Sequence, residues 1–458
     1  MFSEDLQPIA AFATTPQGVA RLQPLWETGA IILWVPEPIS LPSPHIRTYG
    51  GSLRSQVETL WPQQRSFVFC LAMGAVVRLV APLLQHKFTD PAIVVVDEQG
   101  QFVVSLCSGH QGGADRLTQS IAALLGATPV LTGASHSLHL PGIDVLGVPF
   151  GWNRGCGDWT AVSAAIARRE PVQVIQEAGS NLWQSHLPTE HSFHFGFPEH
   201  TATQKPEPVA FKGRVWISPI QRTFAEETDL PKVQWHPRVL WVGVGCERNT
   251  PRSVIEAAIQ QACRTSHLSE LAIAGIATLD RKGDEPGLLE LCQDRSWPLK
   301  CFSPEALSAI PVPNPSAVVA AEVGTPSVAE AAALLACQPT PNPQLRVPKQ
   351  IFRQEGQPGA VTVAIVESSQ EYTGRTGNLY LVGIGPGQLD QITPAAKQAI
   401  GQADVVIGYS LYVDLVRSLL RPGQIVEALP ITQERQRASR AIELAQWGLS
   451  VAVISSGD

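Results

Sequence analysis

The chain has 458 residues, enough for three or four domains with cores of their own. Its net charge of -7 and charged fraction of 16% argue against a nucleic-acid surface, and no basic run offsets them. Residues Met1–Leu6 carry acids where a secretory leader would be basic, no apolar stretch reaches the ~20 residues a bilayer span needs, and the eight cysteines include no Cys-x-x-Cys pair; this excludes membrane and disulfide classes and points to a cytoplasmic protein without a cysteine metal site.

Residues 1–132 read as strands alternating with helices. Ser66–Met73 is an apolar strand-like run that Gly74 breaks, and Ala75–Ala81 continues as a short helix ended by Pro82. Ala92–Asp97 and Phe102–Leu106 flank Glu98-Gln99-Gly100, a hairpin signal. A helix follows with Leu117, Ile121 and Leu124 on one apolar face. Between that strand and helix lies Ser108-Gly-His-Gln-Gly-Gly-Ala-Asp115, one histidine among glycines where α/β sheets place ligands, at the carboxyl end of a strand. Histidine exchanges protons near neutral pH, and glycines leave room for a bulky substrate while exposing N–H donors to an oxyanion. The alternative is a turn histidine that caps the helix. Cys107 and His110 have ligand-like spacing but no second pair, so no metal is assigned.

Residues 133–235 are less patterned, rich in Trp, His, Gln and Pro, and read as a small middle domain with long loops. At 236–340 the pattern is again α/β: Val239–Cys246 runs into a glycine turn, Thr250-Pro251 starts a helix, Leu271–Ala277 is the next strand, and Leu288 and Leu289 lie on a further helix. A dinucleotide fingerprint at Gly243-Val-Gly245 fails because Arg248 stands at the third glycine's position. The charged loop Asp280–Gly287 offers Lys282 as a carboxylate clamp and Glu285 as an acid or base, or is a solvated loop whose acids favour the following helix dipole. Ser327 and Glu330 form a Ser-x-x-Glu capping box, which explains that glutamate without catalysis. Residues 341–376, rich in Pro, Gln and Gly, read as an interdomain linker with one strand-like patch at Val361–Val366.

A last unit, 377–458, opens with a strand into Gly383-Ile-Gly-Pro-Gly387. Gln388 replaces the third glycine of a dinucleotide loop, no Gly-Lys-Ser/Thr follows, and Pro386 removes an N–H donor. Thr393-Pro394 starts a helix, Ala403–Tyr409 is a strand, and Val451–Asp458 is a strand breaking into a glycine turn where the chain stops. The fold class is α/β, multidomain, several small units with the last incomplete.

Two resemblances order these motifs. Gly383–Gly387, Gly408-Tyr409-Ser410 and Ile454–Asp458 resemble the S-adenosylmethionine-dependent tetrapyrrole methyltransferases, most of all the precorrin-3B C(17) class. That implies a cofactor cleft bordered by Gly385, Pro386, Gly387, Ser456, Gly457 and Asp458, a homodimer, and, with only the opening part of the domain encoded, weak or absent S-adenosylmethionine binding. Gly74–Arg78, Ser108–Gly113, Val242–Cys246, Lys282 with Asp284-Glu285, and Val323–Glu330 resemble the cobalt-precorrin-5A hydrolases of cobalamin biosynthesis across residues 1–340. Asp115 departs from a family pattern that more often has an amide there. The resemblance implies hydrolytic opening of a corrin δ-lactone with release of acetaldehyde. It implies His110 as general base or acid, the N–H groups of Gly112 and Gly113 as oxyanion donors, Lys282 and Arg78 holding peripheral carboxylates, and Asp115 and Glu285 at the substrate. Cobalt belongs to the substrate, so the hydrolase part needs no metal or cofactor of its own. The partners implied are cobalt-corrinoid intermediates; a non-catalytic tetrapyrrole carrier is the alternative.

Overall fold

The computed structural model describes residues 2, 4–39, 41–86, 89–133, 140–185, 187–197, 210–225 and 230–456. It divides into two compact units: Met1–Leu146 with Trp183–Thr189 and Thr376–Asp458, and Gly147–Leu182 with Glu190–Arg375.

The first unit is built on strands β1 (Ile9–Ala13), β2 (Ile31–Pro36), β3 (Ile46–Tyr49), β4 (Ser66–Cys70), β5 (Ala92–Val96), β6 (Phe102–Cys107) and β7 (Thr128–Val130), in the order β3-β2-β1-β4-β5-β6-β7. The central strands β1, β4 and β5 are continuous apolar runs buried on both faces, as a parallel sheet covered by helices requires. Ala11, Val68 and Val94 pack on Leu117 and Ile121 of helix Ala114–Leu125, while Phe12, Phe67, Phe69 and Ile93 pack on Val57, Val76 and Leu79. Each such side chain contributes roughly 1.5–3 kcal/mol on burial. Glu98–Gly100 turns the expected hairpin, so β6 runs antiparallel to β5. The helix Met73–Val80 begins one residue before Gly74 and includes it, so the glycine does not break the chain as expected.

The same unit carries a four-stranded parallel sheet of β18 (Asn378–Gly383), β19 (Val405–Tyr409), β20 (Ile425–Leu429) and β21 (Ser450–Ser455), ordered β18-β21-β19-β20. Thr393 caps helix Pro394–Gln402 through its Oγ1, 3.2 Å from the Ala396 N–H, with proline at the first helical position.

The second unit contains two sheets. In one, β8 (Asn153–Gly157), β9 (Val172–Gln176), β10 (Phe193–Phe195), β11 (Gly213–Ile217) and β12 (Lys232–His236) are ordered β10-β9-β11-β12-β8. Three of its tryptophans form a core: the buried rings of Trp152 and Trp159 meet Trp235 edge-on at 6.4 and 5.2 Å. In the other, β13 (Leu240–Cys246), β14 (Ile273–Leu279) and β15 (Leu299–Phe302) are parallel, and β16 (Gln344–Phe352) and β17 (Val361–Glu367) complete the order β15-β14-β13-β17-β16.

Two expectations are corrected here. The segment 341–376 is not a linker over its length, because β17 lies against β13 from Val361↔Cys246 to Glu367↔Leu240 and buries Val361, Val363 and Ile365. Its proline-rich composition reflects an edge strand: Pro348 falls within the register irregularity between Val347 and Gln350. Nor do Ser327 and Glu330 form a capping box. Helix Ala329–Ala336 has no side-chain cap, and the fully buried Glu330 carboxylate accepts from the Asn314 N–H (3.2 Å), Asn314 Nδ2 (2.8 Å) and the Lys349 N–H (3.0 Å). Three donors outweigh the one a cap would supply.

Candidate functional site

The loop after β6 is wound tightly. Ser108 adopts a left-handed φ of 59° and Gly113 one of 82°, and a side chain at Gly112 would collide with Ser108. The N–H groups of Gly113, Ala114 and Asp115 donate to the carbonyls of His110 (3.2 Å), Ser108 (3.1 Å) and Gly109 (3.0 Å). The Gly113 N–H is therefore spent inside the loop and is not an oxyanion donor, contrary to expectation. The Gly112 N–H has no partner among the described residues.

The loop projects His110 with its side chain 33% exposed. Nδ1 lies 3.4 Å from Asp144 Oδ1, and Nε2 lies 3.9 Å from Asp115 Oδ2. Asp144, missed in the sequence, comes from the chain beyond Gly142, whose backbone packs so close to the ring that a Cβ there would stand 3.1 Å from Nδ1. A carboxylate beside Nδ1 fixes ring orientation and tautomer, leaving Nε2 to exchange a proton with a partner. Asp115 sits in the first helical turn, where the dipole favours its charge.

The hairpin also sets where this loop lies. Because β6 is antiparallel to β5, with Cys107 opposite Ile93, His110 leaves the sheet at the amino edge of β1–β5. Arg78 does not join it. Its guanidinium folds back to the Gly74 carbonyl (3.3 Å), on the first turn of a helix that starts from the carboxyl end of β4, about 16 Å away for a five-residue strand. One substrate-binding site containing both, as expected from sequence, is thus corrected by the strand direction.

Lys282 and Glu285 belong to the second unit, at the carboxyl ends of the parallel pair β13 and β14. Glu285 is wholly buried; its Oε1 accepts the Asn249 N–H at 2.5 Å, and its Oε2 lies 3.6 Å from Arg248 Nη1 and 3.9 Å from Lys282 Nζ. A carboxylate so enclosed cannot reach substrate, which corrects its expected role as acid or base: it positions the loop and its cations. Arg248 also donates to Asp284 Oδ1 and to the Arg281 carbonyl, both at 2.5 Å. The hydrogen bond from Arg248 holds the Asp284 carboxyl below the usual range. Burial pushes the neighbouring Cys246 thiol up to about 11, so it is no nucleophile at neutral pH.

In the last sheet, β18 and β21 pair with Val382 opposite Ile454 and Gly383 opposite Ser455. The Gly385-Pro386-Gly387 loop and Ser456 therefore leave side by side at one carboxyl edge. Gly385 and Gly387 take left-handed φ values of 63° and 97°, and a Cβ on Gly385 would meet none of the described residues within 4 Å. That open glycine loop fits one wall of a cofactor cleft. Gly457 and Asp458 lie outside the described residues. Among the described residues no cluster of three metal-ligating side chains occurs, and no helix is long and apolar enough to cross a membrane.

Four family models match along the chain: Cobalamin synthesis G N-terminal at 55–136, Cobalamin biosynthesis central region at 141–237, Cobalamin synthesis G C-terminus at 240–366, and Tetrapyrrole (Corrin/Porphyrin) Methylases at 378–458. The chain is 33% identical over 293 residues to a cobalt-precorrin-5A hydrolase of Priestia megaterium, covering 64% of this chain and 78% of that one. It is 31% identical over 346 residues to the enzyme of that name from Salmonella typhimurium, covering 72% and 92%. The final segment is 45% identical over 82 residues to a cobalt-factor III methyltransferase of Priestia megaterium, which is 18% of this chain and 15% of that protein.

Proposed function

The chain belongs to the cobalt-precorrin-5A hydrolase family, and from that membership we infer that it opens the δ-lactone of cobalt-precorrin-5A and releases acetaldehyde. Water attacks the lactone carbonyl, the acyl C–O bond breaks, and a carboxylate and an alcohol remain. Loss of the alcohol proton lets the two-carbon fragment leave as acetaldehyde, with the electron pair of the broken C–C bond passing to the macrocycle, which is then protonated. Both steps need a group that takes and returns protons near neutral pH.

The observation that carries the assignment is His110 held between Asp144 and Asp115, one third exposed, on a loop whose Gly112 N–H has no partner among the described residues. Nε2 takes the proton from water, Asp144 steadies the ring through Nδ1, and Gly112 donates to the developing oxyanion. Purified protein incubated with cobalt-precorrin-5A should release acetaldehyde stoichiometrically. Well-folded protein that binds the corrinoid without releasing it would be a carrier instead.

The segment 378–458 supports a second, narrower reading, that it is the opening part of a corrinoid methyltransferase of the precorrin-3B C(17) class. S-adenosylmethionine would supply the methyl group. Gly385, Pro386, Gly387 and Ser456 would border it, with Gly385 leaving room for close approach of the backbone.

A further inference from the structure

We propose that Arg248 is the specificity-determining residue of a carboxylate subsite at the carboxyl edge of β13 and β14, and that Asp284 occupies this subsite until a carboxylate of the ligand displaces it. The proposal rests on the hydrolase reading for the identity of the ligand, a macrocycle rimmed with carboxylates, but not for its geometry.

Three observations converge. Arg248 is anchored from beneath: Glu285, with no exposed surface, lies 3.6 Å from Nη1, and the same carboxylate holds the Asn249 N–H next along the chain. Glu285 Oε2 is buried without a hydrogen-bond donor among the described residues, and the two cations nearest to it are Arg248 at 3.6 Å and Lys282 at 3.9 Å, so its charge keeps both at this place. From above, Arg248 is 52% exposed and is covered by an Asp284 that is itself 74% exposed. So open a pair is weak and screened by salt, and an incoming carboxylate can replace it. The Arg248–Asp284 hydrogen bond shows the geometry that the guanidinium offers to such a carboxylate. Lys282, its side chain only 16% exposed, adds charge without comparable reach. A planar fork is also harder to replace than a point charge, so lysine at 248 is not equivalent.

The test uses the full chain and an octacarboxylate porphyrin as probe, titrated by absorbance at low and moderate salt, with its octamethyl ester as control. Arg248→Ala should weaken porphyrin binding severalfold at low salt, the scale of an ion pair at a half-exposed guanidinium, and less at moderate salt. Arg248→Lys should recover part of the loss, and Asp284→Asn should tighten binding severalfold by removing the resident competitor. The ester should bind all variants alike. Equal binding of the octacarboxylate by wild type and Arg248→Ala, with circular dichroism unchanged, would overturn the proposal, as would weaker binding by Asp284→Asn. If Arg248→Ala does not fold, the lysine and Asp284 variants decide. Absence of acetaldehyde release by the wild type would remove the hydrolase reading while the porphyrin titration still judged the subsite.

Discussion

The His110 loop and the Glu285 loop look alike in sequence: each follows an apolar strand, mixes glycine with charge, and leads into a helix. The structure treats them oppositely. The first spends the N–H groups of Gly113, Ala114 and Asp115 on its own carbonyls and leaves the imidazole one third exposed between two carboxylates. The second encloses the Glu285 carboxylate and leaves Arg248 half exposed, with Lys282 largely covered. The difference teaches that a titratable residue's type does not fix its role; solvent access decides whether it trades protons or holds its neighbours in place.

The largest expected effect breaks the comparison on the His110 side. His110→Ala should lower kcat by about 10²–10⁴, the range for losing a general acid–base group, with an unchanged circular dichroism spectrum. On the other side, Glu285→Ala should act on stability, costing about 3 kcal/mol in urea unfolding because the Asn249 N–H and two cations lose their common partner. A loss of kcat at unchanged stability would instead return Glu285 to the chemistry. Asp144→Asn should reduce kcat about 10–100-fold, as expected for an orienting partner, and should shift the pH–rate profile; a change confined to KM would detach Asp144 from His110.

A buried histidine sharpens the contrast. His236 has no exposed surface, its Nδ1 lies 3.0 Å from the Ser218 carbonyl, and burial pushes its pKa down to about 4. Because the folded value lies below the ordinary ~6.5, the stability of the neutral ring is fully present above that pH and is lost as pH falls toward 4. Between pH 7 and pH 5 unfolding free energy should fall by about 2 kcal/mol from this group, read as a lower urea midpoint, and His236→Asn should show a smaller decrease.

Much of the fold was legible where local chemistry settles it. The doubly buried strands β4 and β5, the hairpin at Glu98–Gly100, the helix bearing Leu117 and Ile121, and the Thr393-Pro394 cap follow from periodicity and turn residues. What sequence could not supply was pairing partners. β17 lies beside β13 although more than a hundred residues separate them, so composition made it resemble a linker. The direction of β6 followed from the hairpin, but its consequence, His110 and Arg78 at opposite edges, needed the whole strand order. Asp144 carried no spacing relative to His110 that could mark it, and Glu330 satisfied a capping pattern while its real donors came from Asn314 and Lys349.

The central claim, that His110 is the proton-transfer group of a lactone-opening hydrolase, is tested most directly by acetaldehyde release from saturating cobalt-precorrin-5A, with wild type and His110→Ala compared side by side. Prompt release by the wild type is expected, with a rate at least about a hundredfold lower for the variant. Equal rates from two folded proteins would contradict it.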